Sequence, residues 1–143
     1  MMIILVGASG TGKSTYTLNN YPDFVVCSAD HYMMEDGVYR WTPEKIGPAH
    51  SRCFAHATKS LVGGRSVVID NTNTRAKERN RYLDLAEELG EAVEIHVLPW
   101  KKEFISRNVH GVDAETVQKQ LDRIDLDFGW VYDAQGNKIR EIL

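Results

Sequence analysis

The chain has little that would mark it for an oxidising or membrane environment. It holds two cysteines, Cys27 and Cys53, in 143 residues. That is too few for a disulfide framework, so reduced thiols and a cytoplasmic location are expected. No stretch approaches the ~20 consecutive apolar residues of a membrane span. An apolar strand begins at residue 2, so no secretory leader is expected. Positive charge is not in excess: 17 Lys and Arg against 20 Asp and Glu give a net charge of −3. This argues against a large non-specific nucleic-acid surface but leaves room for a local basic groove. There is no internal repeat and no low-complexity linker. The remainder, 43% apolar and 26% charged, reads as one globular domain over residues 1–143.

The strongest signal lies at the start. Met2-Ile3-Ile4-Leu5-Val6 is a short apolar run, followed at once by Gly7-Ala8-Ser9-Gly10-Thr11-Gly12-Lys13-Ser14-Thr15. The run fits G-x-x-x-x-G-K-[ST], a phosphate-binding P-loop, in its required context of strand before and helix after. Glycines permit positive φ and close backbone approach. Successive N–H groups at a helix N-terminus then form an anion nest. In such a loop Lys13 reaches the β- and γ-phosphates of ATP, and Ser14 serves Mg²⁺.

Downstream, apolar runs and helical periods alternate. A helix is expected from Lys13 to about Asn20, ended by Tyr21-Pro22. Phe24–Cys27 reads as a strand that ends in Ser28-Ala29-Asp30-His31-Tyr32. Residues 33–43 read as a loop or short helix lining a substrate pocket, made aromatic by Tyr32, Tyr39 and Trp41. Ile46, Ala49, Cys53, Ala57 and Leu61 give one stripe on a helix from about Glu44 to Val62, with Pro48 tolerable only in its first turn. Ser66–Ile69 reads as a strand ending in Asp70-Asn71-Thr72-Asn73. Thr74 is the expected N-cap of the next helix, which runs up to Gly90. Ala92–Leu98 alternates like a sheet-edge strand. A short helix through Asn108, a break at Val109–Val112 and a helix capped by Asp113 make a helical lid over about 101–125. The tail after Phe128 turns at Gly136-Asn137 and could add an edge strand. The fold class is therefore α/β: a three-layer P-loop fold with a central parallel sheet of four to five strands.

Within this class the chemistry narrows. No guanine-reading N-K-x-D is present, and a motor ATPase usually needs a longer chain. A phosphotransferase fits the size. Asp30, at a strand's carboxyl end, is the candidate general base; capping a turn is the alternative. Asp70 could hold Mg²⁺ with Ser14, or with Asn71 simply brace a turn. Arg107 is the candidate lid arginine, against a solvated role; His110 could be a phosphate contact, a hinge or a surface residue. The pairs Arg75/Arg79 and Lys77/Arg81 form two basic rows on one helix face, the best nucleic-acid candidate. His50, Cys53 and His56 do not read as zinc ligands, because the first and last lie about 240° apart around a helix.

The segments Gly7–Thr15, Ser28–Tyr32, Val67–Asn73 and Arg107–Val112 resemble, in order and spacing, polynucleotide 5′-hydroxyl kinases. The nearest likeness is to the branch that occurs as P-loop domains in animal ubiquitin-ligase-binding proteins, where D-x-Y, I-D-N-T-N and R-N-x-H-G-V recur and an Ala-His pair matches Ala49-His50. The resemblance covers roughly residues 2–126. It implies a kinase with ATP and Mg²⁺, with Asp30 as general base, Lys13 and Ser14 on the phosphates and metal, and Arg107 in the lid. The phage kinase-phosphatase type has an arginine three residues after the base. Here that position is Met33, so Tyr32, Arg40, Arg52, Asn71, Arg75 and His110 are the candidate acceptor contacts. No D-x-D-x-T phosphatase motif is present. The expected partner is a single-stranded nucleic-acid 5′ end. The alternatives are a small hydroxyl-bearing substrate, or a nucleotide-dependent binding module without transfer.

Overall fold

The apolar run at the start becomes the strand around which the other elements pack. In a computed structural model, which describes residues 1–99, 113–124 and 130–141, all five residues of β1 (Met2–Val6) are buried. Burying one large aliphatic side chain contributes about 1.5–3 kcal/mol, and β1 supplies several. After β1 come α1 (Lys13–Asn20), β2 (Val25–Cys27), a 3₁₀ turn (Ala29–Met33), a two-strand hairpin of β3 (Met34–Glu35) and β4 (Val38–Tyr39), and α2 (Pro43–Val62). They are followed by β5 (Val67–Ile69), α3 (Ala76–Leu89), β6 (Val93–Val97), α4 (Ala114–Arg123), β7 (Trp130–Asp133) and β8 (Lys138–Glu141).

Six strands form the main sheet in the order β2-β5-β1-β6-β7-β8. β2, β5, β1 and β6 are mutually parallel; β7 and β8 are antiparallel additions. The expected α/β fold with a parallel core is therefore present, and the tail adds a hairpin rather than one strand. The pleat sends alternate β1 residues to opposite faces. Met2 and Ile4 meet the stripe of α2 and the buried face of α3, including Cys53, Ala57, Tyr82 and Leu85. Ile3 and Leu5 meet Val68, Leu98, Tyr16 and Phe24 on the α1 side. Val6 and Val97 pack with Val117 and Ile124 of the α4 segment.

Several local expectations are corrected. Within residues 33–43 the chain forms the β3/β4 hairpin, preceded by a 3₁₀ turn that ends at Met33. Pro48 sits in the second turn of α2, because the helix begins at Pro43; its ring nitrogen cannot donate to the Glu44 carbonyl. Arg75, not Thr74, is the N-cap of α3, since Thr74 is buried beneath the helix start. β6 is interior rather than an edge, because β7 covers it. Its polar positions are used: His96 is fully buried, with the Glu94 carboxylate 2.8 Å from Nε2 and the Tyr16 hydroxyl 2.5 Å from Nδ1. A carboxylate only accepts, so Nε2 carries the proton and Nδ1 accepts from Tyr16. No helix among the described residues is long and apolar enough to cross a membrane.

The strand ends are knitted together by Asn73. Its buried amide donates to the carbonyls of Leu5 (2.7 Å), Asn71 (3.2 Å) and Ile69 (3.4 Å), and its φ is +49°. Asn73→Ala is expected to lower the urea unfolding free energy by about 1–3 kcal/mol through unsatisfied buried carbonyls. Asn73→Gly, which accepts the positive φ, should lose only the hydrogen-bond part. A second expectation follows from His96, whose pKa burial pushes down despite the nearby Glu94 carboxylate. The unfolded chain takes up this proton near pH 6.5, while the folded chain resists it. Stability contributed by neutral His96 is thus present above about pH 6.5 and is lost as pH falls through the lower folded value. Thermal midpoints from pH 7.5 to 5.5 should fall more steeply for the wild type than for His96→Gln.

Candidate active site

The carboxyl ends of β1, β2 and β5 converge on one place, as open α/β sheets arrange their sites. The loop after β1 has positive φ at Gly10 (+86°) and Gly12 (+87°). A Cβ on Gly7 would lie 2.8 Å from the Thr11 hydroxyl, so that position admits no side chain without a shift. The Thr11 hydroxyl is buried and, among the described residues, is the one buried side-chain polar atom without a hydrogen-bond partner. The backbone thus makes the concave, glycine-dependent loop that phosphate binding requires.

Lys13 curls back over this loop and donates to the carbonyls of Gly7 and Ala8, each at 3.2 Å. Burial lowers its pKa, opposed first by Asp70 and then by Asp30. Its ammonium is therefore under the field of both candidate carboxylates. Ser14 donates to Asp70 at 2.9 Å, so a hydroxyl oxygen and a carboxylate stand side by side at the start of α1. Such hard oxygen donors suit Mg²⁺, which usually takes one or two carboxylates and keeps several waters.

Asp30 opens onto a cavity of about 620 Å³ shared with Ser9 and Thr72 on one side and Tyr39, Trp41 and His50 on the other. The Tyr39 hydroxyl donates to the Asp30 carboxylate at 3.2 Å. Burial, and then the Asp30 charge, push the Tyr39 pKa up to about 12, so the phenol stays a proton donor at neutral pH. Asn71 lines the same cavity, but its amide is engaged. Its oxygen accepts from the Ala29 N–H at 2.8 Å, and its nitrogen reaches the Cys53 sulfur at 3.6 Å. That clamp fixes the turn on which Asp30 sits.

The other acceptor candidates lie apart. Arg40 is exposed and pairs with Glu35 at 3.7 Å. The Arg52 guanidinium sits 4.5 Å above the Tyr32 ring. Arg75 is exposed at the start of α3. The basic rows are broken up. Arg79 donates to the Asn73 carbonyl at 2.8 Å, and Arg81 covers the Phe54 ring at 4.1 Å. Arg75 and Lys77 remain exposed. Arg107 and His110, with most of the expected lid, lie outside the described residues. Cys53 belongs to the core, accepting from the Tyr82 hydroxyl.

Two features had no sequence signal. Gln120 of α4 accepts the Ser9 N–H through its side-chain oxygen at 2.9 Å, across 111 positions. The α4 N-cap Asp113 and Thr116 also line the cavity.

A family model describing an AAA domain, AAA_33, matches residues 2–127. The chain belongs to the AAA_33 family of P-loop kinase domains. Human NEDD4-binding protein 2 is 31% identical over 131 residues, covering 85% of this chain and 7% of that protein. A putative bifunctional polynucleotide phosphatase/kinase of Acanthamoeba polyphaga mimivirus is 31% identical over 87 residues, covering 61% of this chain and 18% of its own. The chain thus spans a small part of these relatives. Among solved structures, a chain of the Pnkp1/Rnl/Hen1 RNA repair complex superposes with a TM-score of 0.70 at 21% identity, over 86% of this chain and 43% of that one. Sugar kinases share the fold as well.

The Ser9–Gln120 bond gives a test. In a phosphate-binding loop that amide has a competing acceptor, so Gln120→Ala should tighten binding of a non-hydrolysable ATP analogue by about two- to tenfold, the worth of one hydrogen bond. Gln120→Glu should weaken it. Calorimetric titration distinguishes these outcomes; weaker binding in Gln120→Ala would make Gln120 a ligand contact instead.

Proposed function

We propose that this domain is an ATP- and Mg²⁺-dependent kinase that transfers the γ-phosphoryl group to the 5′-hydroxyl of a polynucleotide. The observation carrying this reading is the shared cavity. Asp30 and the P-loop residue Ser9 both line it, and Lys13 lies within the field of both Asp30 and Asp70. The name of the mimivirus relative, a polynucleotide phosphatase/kinase, supports the choice of acceptor.

Bound ATP would supply the phosphoryl group, and Mg²⁺ would offset its charge. Residues 7–15 would cradle the phosphates. Lys13 would leave the Gly7 and Ala8 carbonyls to meet them, and Ser14 with Asp70 would hold the metal. Asp30, positioned by the Asn71 clamp and Tyr39, would accept the proton of the attacking hydroxyl as its oxygen bonds to phosphorus and ADP departs. General-base catalysis of this kind contributes about 10²–10⁴-fold. Arg107, outside the described residues, would offset charge on the transferring phosphoryl group.

A second reading is a kinase for a small hydroxyl-bearing molecule. It is favoured by a cavity wall without lysine or arginine among the described residues.

The test is transfer from γ-labelled ATP to a 5′-hydroxyl oligonucleotide, with a 5′-phosphorylated strand as control. Label should appear on the hydroxyl strand alone. Asp30→Asn should lower kcat about 10²–10⁴-fold while the ATP Kd stays within about twofold, and Lys13→Ala should abolish turnover. Label on nucleosides or sugars but on no strand would select the second reading. Loss of ATP binding in Asp30→Asn would remove Asp30 from the base role.

A further inference from the structure

The wall of the Asp30 cavity describes what can enter it. It carries the carboxylates of Asp30 and Asp113 and the imidazole of His50, and no lysine or arginine among the described residues. Arg40 is turned to Glu35 and Arg52 to Tyr32. A further phosphate of the acceptor, beyond the one transferred, would be stripped of water beside two carboxylates, an unfavourable exchange. Beside polar Ser9, Thr72, Thr116 and Gln120, the wall presents apolar Met33 and Ile46 and the rings of Tyr39 and Trp41.

Trp41 stands out because the residue is 52% exposed on a backbone held from both sides. The Arg40 N–H donates to the Met33 carbonyl at 2.8 Å. The Arg40 carbonyl accepts from the Lys45 ammonium at 2.9 Å. The Lys45 N–H donates to the Thr42 carbonyl at 3.1 Å. An exposed tryptophan on a fixed support in the wall of the Asp30 cavity is a preorganised stacking surface.

We infer that Trp41 is the specificity-determining platform on which the terminal nucleobase of the acceptor stacks, so that an uncharged 5′-hydroxyl nucleoside occupies the cavity and the first phosphate of the strand stays outside. This rests on the kinase reading above and names the chemical class of its acceptor. Stacking tolerates any base, so the presence of a base matters more than its identity.

Two measurements test it. With the donor site filled by a non-hydrolysable ATP analogue and Mg²⁺, uridine should quench tryptophan fluorescence saturably and ribose should not. The quench should vanish in Trp41→Leu. In the transfer assay, Trp41→Leu should raise KM for a strand with a normal 5′ nucleoside about tenfold, with kcat within about twofold. Trp41→Phe should restore it. A strand with an abasic 5′-hydroxyl end should show the raised KM already in the wild type and no further change in Trp41→Leu. Equal quenching by ribose, an undiminished quench in Trp41→Leu, or equal effects on normal and abasic ends would overturn the inference. If no strand is phosphorylated while uridine still quenches Trp41, the polynucleotide reading falls and the stacking platform stands.

Discussion

The site depends on one corner of backbone, Asp70-Asn71-Thr72-Asn73, at the carboxyl end of β5. Each residue there ties a different part of the molecule. Asp70 accepts from Ser14, Asn71 accepts from the Ala29 N–H, the Thr72 carbonyl accepts from the Gly7 N–H at 3.1 Å, and Asn73 donates to the Leu5 carbonyl. The ends of β1 and β2 are thereby held against β5, and the P-loop and the Asp30 turn inherit their separation from that attachment. An unpaired buried amide or carbonyl costs as much as a lost hydrogen bond. The corner therefore has few substitutes: each side chain is matched to one acceptor or donor, and Asn73 must also tolerate a positive φ, which asparagine does better than most residues.

The same corner separates the two carboxylates by role. Asp70 sits on the P-loop side, beside the Ser14 hydroxyl. Asp30 sits across the cavity, beside a phenol whose own proton is held by burial and by the Asp30 charge. Both act on the Lys13 ammonium, but Asp70 more strongly. Two acids of one chemical type thus have different neighbours, a serine hydroxyl at one and a phenol at the other. Their partners distinguish them, and those partners come from distant parts of the chain.

What the sequence made legible was local. The P-loop, the stripe of α2 and the Asp113 cap on α4 each rest on spacings of three or four residues, or on one contiguous motif, and all three appear in the structure. The order of strands in the parallel core and its closing hairpin rest on pairings that no local period encodes. The alternation of Glu94 and His96 reads as solvent exposure when only β6 is considered; β7 and Tyr16 turn it into burial. The arginines of α3 read as a free basic face by spacing, yet Arg79 and Arg81 are taken up by a carbonyl and an aromatic ring. Asn71 is a candidate acceptor contact and lines the cavity, while its amide oxygen is claimed by Ala29, 42 positions away, a pairing that no local spacing encodes. The Ser9–Gln120 bond was invisible for the same reason.

The C-terminal hairpin illustrates how such distant pairings reach the site. β7 and β8 lie beyond the family match, which ends at residue 127, and none of their described residues lines the Asp30 cavity. Yet Arg140 of β8 reaches Glu94 at 3.3 Å and the Tyr21 hydroxyl at 3.4 Å. Glu94 holds His96, and His96 accepts from Tyr16 in the middle of α1. The helix whose first residues are Lys13 and Ser14 is thus fastened by a chain of polar contacts that begins in the hairpin. A helix of eight residues has little stability of its own, so the position of its N-terminus follows from what holds its sides. On the sheet side that hold is apolar, through Tyr16 and Tyr21 against Ile3, Leu5 and Val68. The buried imidazole adds direction, because a hydrogen bond fixes orientation where apolar packing alone tolerates sliding. The hairpin therefore supports the phosphate-binding end of the molecule from behind, without contributing a residue to its cavity.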